Sequence, residues 1–391
     1  MKKISLGILV CILVTLLASS LVSAVGNAVE NSKMRIIIDG KLGTYADVPI
    51  IVNDRSMLPL RALLNNLGVA DQFIIWNDDE RSVTIFSSIS KGDRREAVRV
   101  FLKIDSEIAY VNDTVVTLDA APIIYKNKTY IPTRFVAQSL GKKVVWDEAT
   151  TSVLIRDENE YNKVMDIMNK TNTAMEAITK LKIFTDTRAA GMQNGRKTET
   201  TAKSSFEIDR VKRIIHINSH ILSMGQSTYM ETYFANNSMY MKDPYNGKWR
   251  KNIFSAEQYD NIFSSSDSTA LLKPNEVLYA GLIIDSTQNN MEIVLKGDIY
   301  LQQLKSLTGI TLKNENGVKL EIKKLFSEIY IDKETYRITR VNMNGDIEMS
   351  FDDKRVQQNQ IINIVYTDYD GNFELDLPVE IEKNASKVNV P

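Results

Sequence analysis

The chain has 391 residues, 48 basic and 49 acidic side chains, a net charge of −1 and 43% hydrophobic content. Balanced charge lacks the electrostatic footprint of a nucleic-acid partner. The length and apolar content suit two globular domains, each with a core of its own. The single cysteine, Cys11, falls inside the first apolar run, so no disulfide, thiolate nucleophile or cysteine-ligated metal is expected beyond it.

Met1-Lys2-Lys3 is basic, an apolar run follows from Ile4 to about Val25, and small residues gather at Val22-Ser23-Ala24. This order reads as a secretory signal over residues 1–24, cut after Ala24 or, as second choice, after Ala28. The rival reading is an uncleaved anchor, since about 20 apolar residues can span a bilayer. A secreted or cell-surface protein is expected, or one tethered by that segment.

Two stretches over residues 34–156 repeat one another. Residues 49–68 read PIIVNDRSMLPLRALLNNLG and residues 122–141 read PIIYKNKTYIPTRFVAQSLG, so Pro59, Arg61 and Gly68 align with Pro132, Arg134 and Gly141 without a gap. Trp76 matches Trp146 after a three-residue offset, and Ser82–Ile85 matches Ser152–Ile155. The copies span about 35–85 and 99–155, and such close repetition marks one supersecondary unit used twice. Each copy opens on a strand (Arg35–Asp39, Arg99–Ile104). Two short strands follow, separated by a turn at Asn53-Asp54 or Lys126-Asn127. Pro59 and Pro132 suit the first turn of a helix. The helices are expected over Leu60–Leu67 and Thr133–Leu140, with Gly68 and Gly141 as left-handed caps. A strand with Trp76 or Trp146, a turn and a last strand close each copy.

The string Pro122–Asp147 closely resembles the copper amine oxidase N-terminal domain, and residues 49–76 resemble it as a more divergent copy. In that oxidase the module is a stalk remote from the active site, and it recurs in secreted bacterial proteins. The resemblance therefore implies a surface module and not amine oxidation. The residues agree: copper oxidation of amines needs three histidine ligands and a quinone-forming Asn-Tyr, whereas this chain has two histidines and no such dipeptide. His216 and His220 lie in an alternating run. On a strand they share a face ~13 Å apart, too far to hold one ion. No cofactor and no metal is expected.

Arg61 and Arg134 read first as partners in internal ion pairs, with Asp78 and Asp147 as candidates. The sharper alternative is a clamp for a carboxylate or wall anion. Trp76 and Trp146 read as core anchors before saccharide platforms.

From Tyr161 to Leu181 apolar residues recur at helical spacing, giving a connecting helix over 157–182. Alternating strands follow at Thr198–Ile208, Lys212–Met224, Ser227–Ala235, Ser238–Asp243 and Lys248–Phe254, with turns at Gly225-Gln226 and Asn236-Asn237. Helices are expected at Glu257–Phe263, Asn275–Ile283 and Asp298–Leu307. A closing meander covers Val318–Lys323, Phe326–Asp332, Ile338–Ile347 and Gln360–Tyr369, and an extended Leu375–Ile381 ends it. The run Thr232–Asp243 with Gly247–Lys251, the segment Asp332–Ile338 and the ending Leu377–Ile381 resemble the lipoprotein-carrier half-barrel, or LolA-like, family. That likeness implies a curved antiparallel sheet over 183–391, closed by helices, with an apolar cavity. Ile217, Ile221, Tyr229, Tyr233, Met239, Met241, Trp249 and Phe254 are the candidate lining, with Ile215 beside them; a filled core would carry the same signature.

The fold class expected is α+β: tandem small β-rich stalk repeats, then a half-barrel sheet with packing helices. No nucleophile elbow, P-loop or His-Glu-x-x-His motif occurs, so a non-enzyme is expected. The reading is a stalk module presenting a half-barrel that binds a lipid or other apolar ligand, or an envelope component. The alternative is a structural or adhesive envelope protein that meets the cell wall through its repeats.

Overall fold

A computed structural model describes residues 34–39, 41–42, 49–52, 55–91, 94–147, 152–193, 196–266, 276–285, 291–298, 319–351 and 354–387. The expected signal segment, the turn at Asn53-Asp54 and the expected helix beyond Asp298 lie outside these residues. The chain is mostly β, with few helices, and its longest sheet is curled as a half-barrel. It divides into two compact units. One runs up to Met165 and includes Glu276–Ile283; the other holds Asp166–Asn275 and Ile284–Pro391.

The first unit contains β1 (Arg35–Ile38), β2 (Lys41–Leu42), β3 (Ile50–Val52), β4 (Arg55–Pro59), α1 (Leu60–Asn66), β5 (Ile74–Asn77), β6 (Ser82–Lys91), β7 (Arg94–Lys103), β8 (Ile108–Val111), β9 (Thr114–Thr117), β10 (Ile123–Tyr125), β11 (Lys128–Pro132), α2 (Thr133–Ser139), β12 (Lys142–Asp147) and β13 (Ser152–Asp157). The aligned prolines end β4 and β11, where a missing N–H leaves the ladder intact, and a helix begins at the next residue. Gly68 and Gly141 follow these helices at φ +84 and +71, the left-handed region that ends a helix without Cβ strain.

Strands β4 and β11 pair antiparallel, with Leu58 opposite Ile131, Met57 opposite Pro132 and Pro59 opposite Tyr130. β6 of the first copy pairs with β7, the opening strand of the second, while β13 of the second pairs with β1, the opening strand of the first. Each copy therefore lends a strand to the other. Leu58, Leu63, Leu64, Ile131, Val136 and Ala137 meet in one core with Val83, Ile85, Val153 and Ile155. Each fully buried aliphatic side chain there contributes about 2 kcal/mol.

Helix α3 (Glu158–Glu176) follows β13 and stops short of the expected boundary. Leu181 belongs to the next strand. The second unit runs β14 (Lys180–Gln193), β15 (Arg196–Asp209), β16 (Ile214–Ser223), β17 (Gln226–Ala235), β18 (Ser238–Lys242), β19 (Trp249–Ile253) and α4 (Ala256–Ser266). After α5 (Glu276–Gly281) and β20 (Leu282–Ile284), which lie in the first unit up to Ile283, come β21 (Glu292–Asp298), β22 (Lys319–Asp332), β23 (Ile338–Phe351), β24 (Lys354–Thr367), α6 (Val379–Asn384) and β25 (Ser386–Lys387). Twelve strands make one sheet in the order β20-β21-β22-β23-β24-β14-β15-β16-β17-β18-β19-β25. Two-residue turns with positive φ at Met224-Gly225 and Asn236-Asn237 join β16 to β17 and β17 to β18, as right-twisted hairpins require.

Three sequence expectations change here. The two short strands expected over 318–332 are one, β22. The expected extended ending Leu375–Ile381 turns into α6 at Val379. The long strand β14 has no counterpart among the expected elements. Its covered positions are Leu181, Ile183, Thr185, Thr187, Ala189 and Gly191, which grow smaller and more polar along the strand and so lose the apolar alternation.

Candidate functional site

Register decides what each face of the long sheet can do. Alternate residues of a strand point to opposite faces. On one face Ile183, Phe206, Ile217, Thr232 and Met241 succeed one another across β14 to β18, with Ile364, Thr185, Ser204 and Ser219 in the next row. This covered face is largely buried. It is apolar at the Leu181 end and polar at the other, where Gln358, Gln360, Thr198 and Ser327 hold buried oxygens without a hydrogen-bond partner among the described residues. Buried polar atoms normally find partners, so this end is under-satisfied.

The opposite, open face carries two parallel rows. One is Val365, Phe184, Ser205, Asn218, Glu231 and Lys242; the other is Asn363, Asp186, Lys203, His220 and Tyr229. Together they bound a groove of about 700 Å3, a size typical of small-molecule sites. The backbones of Thr185, Ser204, Ser219 and Met230 run between the rows, and the turn Asp243–Gly247 lines one edge. That turn is fixed by Asp243, whose carboxylate accepts the Tyr245 and Asn246 N–H groups at 2.9 and 3.3 Å. These donors, with Arg250 beside them, hold the Asp243 carboxyl below the usual carboxylate range against its desolvation.

The groove has chemically different ends. Phe184, 48% exposed, sits directly across from Val365 and gives an apolar end. At the other end Tyr229, 69% exposed, stacks on His220 with ring centroids 4.3 Å apart. The His220 ring meets Ser227 at 2.7 Å. Lys242 donates to Glu231 at 3.0 Å, and Lys203 stands 3.9 Å from Asp186. Charge is thus largely compensated inside the groove while apolar surface stays open.

Beyond the rows, the open face is closed. Tyr233, Tyr240 and Trp249 pack beneath Leu375, Leu377 and Ile381 of the final segment. His216 stacks on Tyr233 at 4.1 Å and bonds Glu207 at 3.1 Å. Burial would raise the Glu207 carboxyl, but bonds from Lys182 and His216 outweigh it and hold the group below its usual range. Each histidine is thus held by its own ring and polar neighbours. Among the described residues no group of three or more His, Cys, Asp or Glu could hold a metal ion, and no helix is long and apolar enough to cross a membrane.

The eight candidate lining residues do not share a face. Ile217, Ile221, Met239 and Met241 lie on the covered face with Ile215, whereas Tyr229, Tyr233 and Trp249 lie on the open one. Phe254 falls just after β19, its N–H donating to the Asn237 carbonyl at 2.9 Å. Only Tyr229 lines the groove. Selection by apolarity passed over parity: the Met224-Gly225 turn sets Tyr229 opposite His220 and so fixes its face. Phe184 and Val365 sit beside apolar neighbours of the opposite face, and Lys203 lies in a polar run, so residue type alone singles out none of them. Once the register is known, strand parity finds them.

In the first unit the repeated arginines differ. Arg61 donates to Asp71 at 3.0 Å, not to Asp78, whose carboxylate instead accepts the Trp76 indole N–H at 2.8 Å. Arg134 is exposed and, among the described residues, has no acidic partner. It borders a second groove of about 430 Å3 with Trp146, Gln138, Thr133, Ser56 and the Arg55–Asp119 pair. Trp76 packs against the core, while Trp146 is 39% exposed.

The long sheet with its groove follows a module in which one sequence pattern is used twice. Residues 37–155 match the copper amine oxidase N-terminal domain. Residues 163–386, more than half of the chain, match a family of unknown function, DUF6612, and the chain belongs to that family. No curated protein matches the chain. Solved structures it resembles include LprF from Mycobacterium bovis, at 9% identity over 56% of this chain and 97% of that one, with a TM-score of 0.31. The Mycobacterium tuberculosis lipoprotein LppX gives 9% identity over 55% and 99%, with a TM-score of 0.31. A LolA superfamily protein from Nitrosomonas europaea gives 9% over 56% and 96%, with a TM-score of 0.18.

Proposed function

We propose that this is a non-catalytic, secreted or cell-surface protein whose long sheet binds an amphiphilic, lipid-like molecule, presented by the two-copy module acting as a stalk. The observation that carries the reading is the open-face groove: about 700 Å3, apolar at Phe184 and Val365, aromatic and charged at Tyr229, His220, Lys203 and Lys242. An apolar chain would lie along the first end, and removing its surface from water would drive binding. A polar or anionic head would meet the second end, where Lys203 and Lys242 stand near the stacked His220 and Tyr229 rings. The basic and apolar start of the chain, Met1 to Ala24, supports export.

The test is native mass spectrometry of protein purified from its own membranes without detergent, beside a solvent extract. A discrete added mass that reappears as lipid in the extract supports the reading. A bare mass that stays unchanged after lipid challenge sinks it. A second reading, a structural or adhesive envelope protein with wall contacts through the repeats, is favoured by Arg134 in the first unit, which has no acidic partner among the described residues, and binding to purified cell wall tests it.

A further inference from the structure

Past the gap-free stretch the two copies differ by a small insertion. They align without a gap from Pro49 and Pro122 to Gly68 and Gly141, after which the first copy has three extra residues before its tryptophan. Those residues, Asp71-Gln72-Phe73, form a 3-10 turn just ahead of β5. The insertion places Asp71 Oδ1 3.0 Å from Arg61 Nη1 and neutralises that arginine. The second copy lacks the turn, so its matching arginine, Arg134, keeps its charge free among the described residues.

The free cation lies in a built recess. Arg134, Trp146, Gln138 and Thr133 line the groove of about 430 Å3, with Arg55 beside Asp119 at 2.9 Å on the same wall. Among the described lining residues, two arginines and one aspartate carry charge. Thr133 is 0% exposed and its hydroxyl has no hydrogen-bond partner among the described residues. A buried hydroxyl left so is costly, and a bound polar group would relieve it. Trp146 offers indole surface beside the cation, and Gln138 offers an amide.

We infer that this groove binds a carboxylated saccharide. The guanidinium takes the carboxylate in a forked, charge-assisted bond. The apolar face of the sugar ring rests on the Trp146 indole, and ring hydroxyls meet Gln138 and Thr133. The first copy differs at this point, because Asp71 Oδ1 already accepts a hydrogen bond from Arg61 Nη1. The inference stands apart from the sheet groove and does not need a lipid there.

Titration of the full-length protein with glucuronate and N-acetylmuramate, read by tryptophan fluorescence and calorimetry, tests it, with glucose and acetate as controls. Both acids are expected to bind at least about tenfold more tightly than glucose or acetate. Arg134→Gln is expected to lose about tenfold in affinity for them, and Trp146→Ala a similar amount. Arg61→Gln, outside the groove, is expected to bind as the parent does. Equal binding of acetate would overturn the ring contact, and equal loss in the two arginine variants would overturn the asymmetry. Saturation by neither acid overturns the inference outright. Circular dichroism of each variant separates lost binding from lost fold. Parallel sedimentation with purified peptidoglycan distinguishes a wall-bound source of the acid from a free sugar.

Discussion

Leu58 lies directly opposite Ile131 in the antiparallel pair between β4 and β11, and the two residues hold the same place in the two sequence copies. The neighbours obey the same exchange, Met57 with Pro132 and Pro59 with Tyr130. The copies thus meet about a local twofold axis that passes by this pair. Both side chains are fully buried, so the axis runs through the core. Leu58→Ala and Ile131→Ala are each expected to cost about 3 kcal/mol in denaturant melts, and the double variant less than the sum, because the two deletions share one cavity. Additive losses would show that the pair does not couple the copies.

The matched glycines separate backbone strain from packing. Gly68 has φ +84 and no atom within 4 Å of where an added methyl would stand, whereas Gly141 has φ +71 and the Ile89 side chain at 3.3 Å. Gly68→Ala is expected to cost about 1 kcal/mol from the left-handed backbone alone. Gly141→Ala is expected to cost more, since Ile89 must also yield. Chemical denaturation of both variants decides it, and the reverse order would contradict the account of α2 packing.

The under-satisfied covered face yields a stabilising substitution. Gln360 is 1% exposed and its side-chain carbonyl oxygen has no partner among the described residues. Gln360→Met keeps the shape and removes the unpaired oxygen. It is expected to stabilise the second unit by about 1 kcal/mol, read as a raised thermal midpoint. A lowered midpoint would mean that the oxygen is satisfied by a bound molecule or water in solution.

Acid sensitivity is expected to centre on Asp370. Desolvation works to raise this carboxyl, but Thr179 donates to it through both backbone and hydroxyl, Lys180 donates a third bond and Arg337 adds charge, and together they hold it below the usual range. A depressed carboxyl stabilises the fold above its unfolded value, near about 4, and that stability is lost as pH falls towards the folded value. Asp370→Asn is therefore expected to lose stability at neutral pH and to show a flatter decline below about pH 4. An unchanged acid limb would remove Asp370 from the account.

Much of the first unit was legible because its signals are local. Proline before a helix, glycine after it and tryptophan in the next strand recur in the sequence and act within a few residues. The hairpins from β16 to β18 were legible for the same reason, through turn residues that accept positive φ. The sheet groove was not. It depends on which face a residue takes after two turns, and it draws Val365 beside Phe184 from strands far apart in the chain. β14 escaped notice because its covered side narrows to Ala189 and Gly191, where a methyl on Gly191 would stand 2.2 Å from the Gln357 carbonyl oxygen. Close backbone approach selected a residue that gives no strand signal. The Arg134 groove was half legible: the arginine stood out, but the three-residue difference that frees it gains meaning only with Asp71 in place.

The central claim is that the open face between Val365 and Tyr229 holds an amphiphile. Its most direct test is ligand occupancy in native mass spectra of the parent protein and of Phe184→Asp, both purified without detergent. Phe184 is half exposed, so the change leaves the core intact while placing a charge at the apolar end. The account predicts a lipid adduct on the parent that is lost, or falls by at least about tenfold, in the variant. Equal occupancy in the two proteins, or a parent that stays bare after lipid challenge, would contradict it.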